Sequence, residues 1–158
     1  PLAWSVSLKD DKLYILDETK LPEEEVYITA PTYLEAAQAI TDMKTRAFGQ
    51  VLTLFYVFLL TARLNRGEKA DVILPRLRKV GWTLENARPT FAFKDLTKQV
   101  LTWAEQAEEE GKDISSCLET NILGFLDKLR MLRLKRAEYA SSLLEDGETL
   151  LTHCNVSG

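Results

Sequence analysis

Histidine and cysteine are nearly absent. The chain has one histidine, His153, and two cysteines, Cys117 and Cys154, in 158 residues. A structural zinc site takes about four such ligands, so no metal centre is expected. Two cysteines are too few for a disulfide scaffold and fit a reducing compartment. An excess of positive charge is also lacking. The net charge is −4 and the sequence pI about 5.2, which argues against nucleic acid or an anionic membrane surface as the main partner. The strongest apolar run, Val51 to Ala62, falls well short of the roughly 20 residues of a membrane span and reads as a buried core helix. The opening Pro1–Lys12 segment lacks the basic-then-apolar order of a signal peptide. There is no internal repeat, low-complexity tract or flexible linker.

What is present suffices for a domain with a real core: 46% of residues are hydrophobic and 28% charged, as in ordinary soluble proteins. Trp4, Val6 and Leu8 alternate with Ser5 and Ser7, Asp10-Asp11-Lys12 signals a turn, and Leu13–Leu16 follows. This predicts a hairpin, with Val26–Thr29 as a third strand. From Pro31 the period changes. Pro31 suits a first helical turn, with Thr29 or Ala30 just outside it. Leu34, Ala37, Ile40 and Met43 then fall on one face. Phe48–Leu64 is apolar nearly all round and should be the central helix. Ala70–Val80 is a third helix, Gly81–Pro89 a connector, and Thr90–Gly111 a fourth helix with a stripe of Leu96, Val100, Trp103 and Ala107. A fifth, capped by Ser115 or Ser116, runs to about Leu144 on Leu118, Ile122, Phe125, Leu129 and Leu132. Cys117 reads as core, and Lys128, Arg130, Arg133, Lys135 and Arg136 as a solvated basic face.

Glu145-Asp146-Gly147 is a turn before a last strand that reaches Cys154. A strand following a helical domain has no neighbour to pair with. The reading is therefore an α+β chain, mainly helical: a small N-terminal antiparallel sheet plus a bundle of about five helices, then the first strand of a truncated Rossmann-like domain. Residues 1–144 form the sheet-plus-helix domain and residues 145–158 the start of the next.

Three segments carry groups that suit chemistry. In Met43-Lys44-Thr45-Arg46-Ala47-Phe48-Gly49-Gln50, an arginine stands just before a helix. Free N–H groups and the helix dipole there suit a phosphate, and a guanidinium adds a bidentate pair. In Asn86-Ala87-Arg88-Pro89-Thr90, the proline pushes Arg88 towards an extended backbone that presents its side chain to an anion. Local pattern leaves a second reading open for both, a surface turn with a solvated arginine. In Thr152-His153-Cys154-Asn155, a thiol at a strand end before a helix would have its pKa lowered. The alternative is an inert buried cysteine. His153 points away from Cys154 on a strand, so it is a poor partner for the thiol.

Taken in order, these segments resemble one family, which contains methylthioribose-1-phosphate isomerase, ribose-1,5-bisphosphate isomerase and the regulatory subunits of translation initiation factor 2B. Leu16-Asp17-Glu18-Thr19-Lys20-Leu21-Pro22 is similar to the Leu-Asp-Gln-Thr-x-Leu-Pro run of the methylthioribose branch. Met43-Lys44-Thr45-Arg46 is similar to the start of its Met-x-x-Arg-Gly-Ala segment. Arg88-Pro89-Thr90 and Leu151-Thr152-His153-Cys154-Asn155 match its Arg-Pro-Thr and Leu-Thr-His-Cys-Asn segments. Ala47-Phe48 replaces Gly-Ala, and Val156-Ser157-Gly158 replaces Ala-Gly-x. The resemblance implies an aldose–ketose isomerase acting on a sugar phosphate with the phosphate on C1, without metal or organic cofactor. It implies Cys154 and an aspartate of a second domain as proton-transfer groups, and Arg46, Ala47, Phe48 and Arg88 as the substrate and phosphate site. It further implies a homodimeric cytoplasmic parent and an inactive fragment. The alternatives it carries are a non-catalytic ligand-binding module, like the initiation factor subunits, and a ribose-1,5-bisphosphate isomerase.

Overall fold

The computed structural model describes residues 4–151. Cys154, with its neighbours His153 and Asn155, lies outside the described residues. Three strands, β1 (Val6–Lys9), β2 (Lys12–Leu16) and β3 (Tyr27–Ala30), form an antiparallel sheet in the order β1-β2-β3. The register sets Val6 opposite Ile15, and Leu13 opposite both Leu8 and Ala30. Alternation puts Val6, Leu13, Ile15 and Ala30 on the inner face, all at 0% exposure. Asp10 and Asp11 close the hairpin at φ 50° and 52°, a left-handed backbone that aspartate tolerates better than most residues.

Five helices follow: α1 (Tyr33–Thr41), α2 (Ala47–Leu64), α3 (Ala70–Ala87), α4 (Phe93–Glu109) and α5 (Ile114–Ser141). The expected sheet-plus-five-helix architecture is what forms. α2 is the axis of the domain. It packs on β1, β2 and every other helix, and Phe55 and Phe58 on it are fully buried. Phe55 meets Phe125 of α5 with ring centroids 4.5 Å apart. By length and composition α2 is long and apolar enough to cross a membrane, but 61% of it is buried inside the fold, as a core helix requires.

Several local expectations are corrected. α1 is capped by Thr32, whose hydroxyl accepts from the Leu34 N–H while Glu35 reaches back to the Thr32 N–H. That is a capping box, and it places Pro31 before the helix. Ala37 and Ile40 are buried as expected, but Leu34 is exposed, and Ala36 and Ala39 complete the inward face. α3 continues through the predicted connector to Ala87. Ile73, Leu77, Val80 and Leu84 hold one buried stripe across Gly81, and the glycine lets α4 come close: a β-carbon there would stand 2.3 Å from Thr97 Cγ2. α4 starts at Phe93, because Pro89 to Ala92 is spent in turns; the Phe91 N–H donates to the Arg88 carbonyl at 3.1 Å. Asp113, not a serine, caps α5 by accepting from the Ser116 N–H at 2.8 Å. Leu126 rather than Leu132 continues its buried stripe. Cys117 is half-buried rather than core.

Glu148–Leu151 is neither helix nor strand, and Leu151 is exposed. The rest of the predicted last strand, with Cys154, lies outside the described residues.

Candidate functional site

The two arginine segments meet at the N-terminal end of α2. The chain leaves α1 through a Schellman-type turn: the Lys44 N–H donates to Ala39 O at 2.9 Å and the Met43 N–H to Ile40 O at 3.0 Å. Met43 takes the left-handed position usually given to glycine, at φ 53°. This turn delivers Thr45 and Arg46 to the start of α2, with Arg46 as the extended N-cap.

Arg88 reaches the same place from α3, whose C-cap it is. Its Nη1 donates to Gln50 Oε1 at 2.5 Å, and Gln50 Nε2 donates to the Thr45 carbonyl at 2.8 Å. Gln50 is fully buried, so a polar side chain on a mostly apolar helix is satisfied at both ends. The Arg88 guanidinium also lies 5.0 Å over the Phe91 ring, a cation–π contact that fixes its direction. The Arg88 side chain is thus tied through Gln50 to the backbone just before Arg46, although the two arginines are far apart in sequence.

A carboxylate stands beside them. Glu18 Oε1 accepts from Thr45 Oγ1 at 2.7 Å and from the Arg46 N–H at 2.9 Å. The neighbouring Asp17 is buried and binds Lys44 Nζ at 3.1 Å. Hydrogen bonding from the Thr19 hydroxyl, then from Lys44, holds the Asp17 carboxyl below its ordinary pKa against the opposing effect of burial. Gly49, one turn into α2, allows this crowding. A β-carbon on it would lie 1.8 Å from Thr45 Oγ1, 2.8 Å from Ser5 Oγ and 3.1 Å from Glu18 Oε1.

Phe48 faces another way. Its ring meets Trp4 edge-on at 5.8 Å, and the Arg133 guanidinium lies 4.4 Å over it. Arg130 lies 4.6 Å over Trp4, and Trp4 Nε1 donates to the Tyr56 hydroxyl at 3.1 Å. Part of the expected solvated basic face is therefore a lid on two aromatic rings, and Arg133 is only 9% exposed. The bulk of Phe48 is absorbed by this cluster, while Ala47 remains half-buried at the first helical position.

Of the sequence-derived site residues, Arg46, Ala47 and Arg88 share one end of α2, Phe48 adjoins them with its ring in the Trp4 cluster, and Cys154 lies outside the described residues. Sequence reasoning did not single out Glu18 or Gln50. A lone glutamine in an apolar helix was the available signal for the second; the first stands in the Leu16-to-Pro22 run that carries part of the resemblance, but its partners are 27 and 28 residues away, so spacing does not reveal them. Among the described residues no group of three His, Cys, Asp or Glu side chains is placed to hold a metal ion.

The chain is similar to known proteins throughout its length. It is 30% identical over 149 residues to a methylthioribose-1-phosphate isomerase of Desulforudis audaxviator, covering 94% of this chain and 43% of that protein. It is 32% identical over 151 residues to the Thermosipho melanesiensis protein of the same name, covering 92% and 42%. The chain thus spans less than half the length of these relatives. Its fold resembles subunit delta of translation initiation factor eIF-2B from A. fulgidus, with a TM-score of 0.70 and 27% identity over 90% of this chain and 42% of that one. It also resembles 5-methylthioribose 1-phosphate isomerase from Pyrococcus horikoshii OT3, with a TM-score of 0.65 and 21% identity over 78% and 36%. Residues 48–158 match the sequence profile of the initiation factor 2 subunit family. The chain belongs to that family.

Proposed function

We propose that this chain is the N-terminal part of a sugar-phosphate aldose–ketose isomerase of the methylthioribose-1-phosphate type, and that it contributes the anion-binding side of the active site. The observation that carries the reading is the Arg88–Gln50–Thr45 connection, which ties both arginine segments to one helix N-terminus. The names of the similar proteins point the same way.

In such a reaction the substrate is an aldose whose anomeric oxygen carries the phosphate. The ring must open without a free anomeric hydroxyl. A hydrogen then moves from C2 to C1 while C2 becomes the carbonyl. Product and substrate are isomers, so no external oxidant or reductant is consumed. In this assignment Arg46 and Arg88 hold the phosphate, and the N–H groups of Ala47 and Phe48 at the start of α2 complete the seat. Cys154 is one proton-transfer group, and its partner comes from outside this chain. The parent protein is assigned as a cytoplasmic homodimer, and residues 1–158 alone as inactive.

The non-catalytic alternative is a ligand-sensing module. It is favoured by Phe48, whose ring is committed to Trp4 and Arg133, and by the fold likeness to an initiation factor subunit. Thermal unfolding of the full-length protein tests the anion site. Methylthioribose 1-phosphate should raise the midpoint in a saturable way; at 100 times its Kd the gain is about 2.7 kcal/mol. Arg46→Ala and Arg88→Ala should each require much more ligand for the same shift. A rise that both variants retain unchanged would remove these arginines from the site.

A further inference from the structure

We infer that Glu18 sets how much negative charge the α2 site accepts, acting as a resident carboxylate that weakens the binding of a phosphate. This rests on the anion-site reading above and deepens it. Helix starts bind anions because the first N–H groups lack intrahelical partners and the dipole is positive there. In this chain an internal anion already draws on that resource. Glu18 Oε1 accepts from the Arg46 N–H at 2.9 Å and from Thr45 Oγ1 at 2.7 Å.

The surrounding charges make its effect calculable in sign. Asp17 is paired with Lys44 at 3.1 Å, so these two cancel. What remains at the head of α2 is the Arg88 guanidinium held on Gln50 and the exposed N-cap residue Arg46, against the single carboxylate of Glu18. An incoming phosphate dianion therefore meets one net positive charge instead of two. It also competes with Glu18 for the same dipole. The carboxylate cannot easily swing aside. Its backbone N–H is held by the Lys44 carbonyl at 2.8 Å, and Gly49 leaves just enough room for Thr45, Ser5 and Glu18 to converge.

The isosteric change Glu18→Gln separates charge from structure. A carboxamide oxygen still accepts from Thr45 Oγ1 and the Arg46 N–H, so the local fold is kept while the charge goes. Removing a unit charge several ångströms from a half-exposed anion is expected to tighten binding about tenfold at low ionic strength, and less at high salt. The experiment is calorimetric titration of the full-length protein with inorganic phosphate, for wild type, Glu18→Gln, Arg46→Ala and the double variant. The expected result is a Glu18→Gln protein that binds phosphate about tenfold more tightly, with a gain that shrinks as salt is raised. An affinity that is unchanged or lower in Glu18→Gln, while Arg46→Ala weakens binding, would overturn the inference and leave Glu18 a helix cap only. Equal affinity in all four proteins would instead remove the anion site itself, and the inference with it. Should Glu18→Gln unfold, Thr45→Val, which frees the carboxylate from one of its two anchors, must also alter phosphate affinity for the inference to stand.

Discussion

Replacing Cys154 by serine in the full-length protein is expected to lower turnover of methylthioribose 1-phosphate by about 10²-fold or more, the scale of a lost general acid or base. A serine hydroxyl is nearly isosteric with the thiol but titrates far above neutral pH. It can donate a hydrogen bond but cannot exchange a proton with carbon-bound hydrogen at useful rates. The thiol does so if its environment draws its pKa towards neutrality. KM should change little, because the phosphate contacts are assigned to Arg46 and Arg88 and not to the thiol. A large loss in kcat with KM kept is the signature of a group used in the transition state only. Unchanged turnover in Cys154→Ser would return this cysteine to the inert reading.

The second large effect is structural. Gly49→Ala should destabilise the domain by about 1–3 kcal/mol, the usual cost of overpacking. The new methyl would sit 1.8 Å from Thr45 Oγ1, so the Thr45 hydroxyl must leave Glu18 or α2 must shift away from the sheet. Either movement disturbs the head of α2, so phosphate affinity should fall along with the melting temperature. Gly124→Ala is the control. Gly124 lies within α5, with nothing inside 4 Å of an added β-carbon. There the same substitution should stabilise by about 0.5–1 kcal/mol through helix propensity. Chemical denaturation of both variants checks the pair. Opposite signs are expected, and equal shifts would mean that the crowding at Gly49 is relieved at no cost.

The hairpin and the central helix are legible in the sequence because each obeys one period without competition. Val6 and Leu8 alternate with serines before Asp10-Asp11, and α2 is apolar on every side because it touches every other helix and two strands. The connector expected over Gly81–Pro89 fails for a reason that local reading cannot supply. Gly81 looks like a breaker, but it serves close packing against Thr97 of α4, and tertiary contact outweighs the propensity cost of about 1 kcal/mol. Leu34 misleads in the opposite way. Its spacing fits the face that buries Ala37 and Ile40, yet Ala36 and Ala39 complete that face in its place.

For the site, Arg46 and Arg88 are visible as arginines beside helix ends. Their connection is not, because it runs through the buried side chain of Gln50. Glu18 stands in the Leu16-to-Pro22 run, but its link to Thr45 and the Arg46 N–H spans the fold and leaves no mark in local spacing. The basic run on α5 is misread from composition alone. Charge counts say solvated face, whereas Arg130 and Arg133 lie on aromatic rings, as long side chains do when their stems cover apolar surface.

The most direct measurement is conversion of methylthioribose 1-phosphate, followed by phosphorus NMR, with the full-length protein and residues 1–158 assayed side by side. The expected result is formation of the ketose 1-phosphate by the full-length protein and none by residues 1–158. A full-length protein that binds the sugar phosphate through Arg46 and Arg88 but does not convert it would contradict the isomerase assignment in favour of a ligand-sensing module. Conversion by residues 1–158 alone would contradict the claim that this chain holds only part of the site.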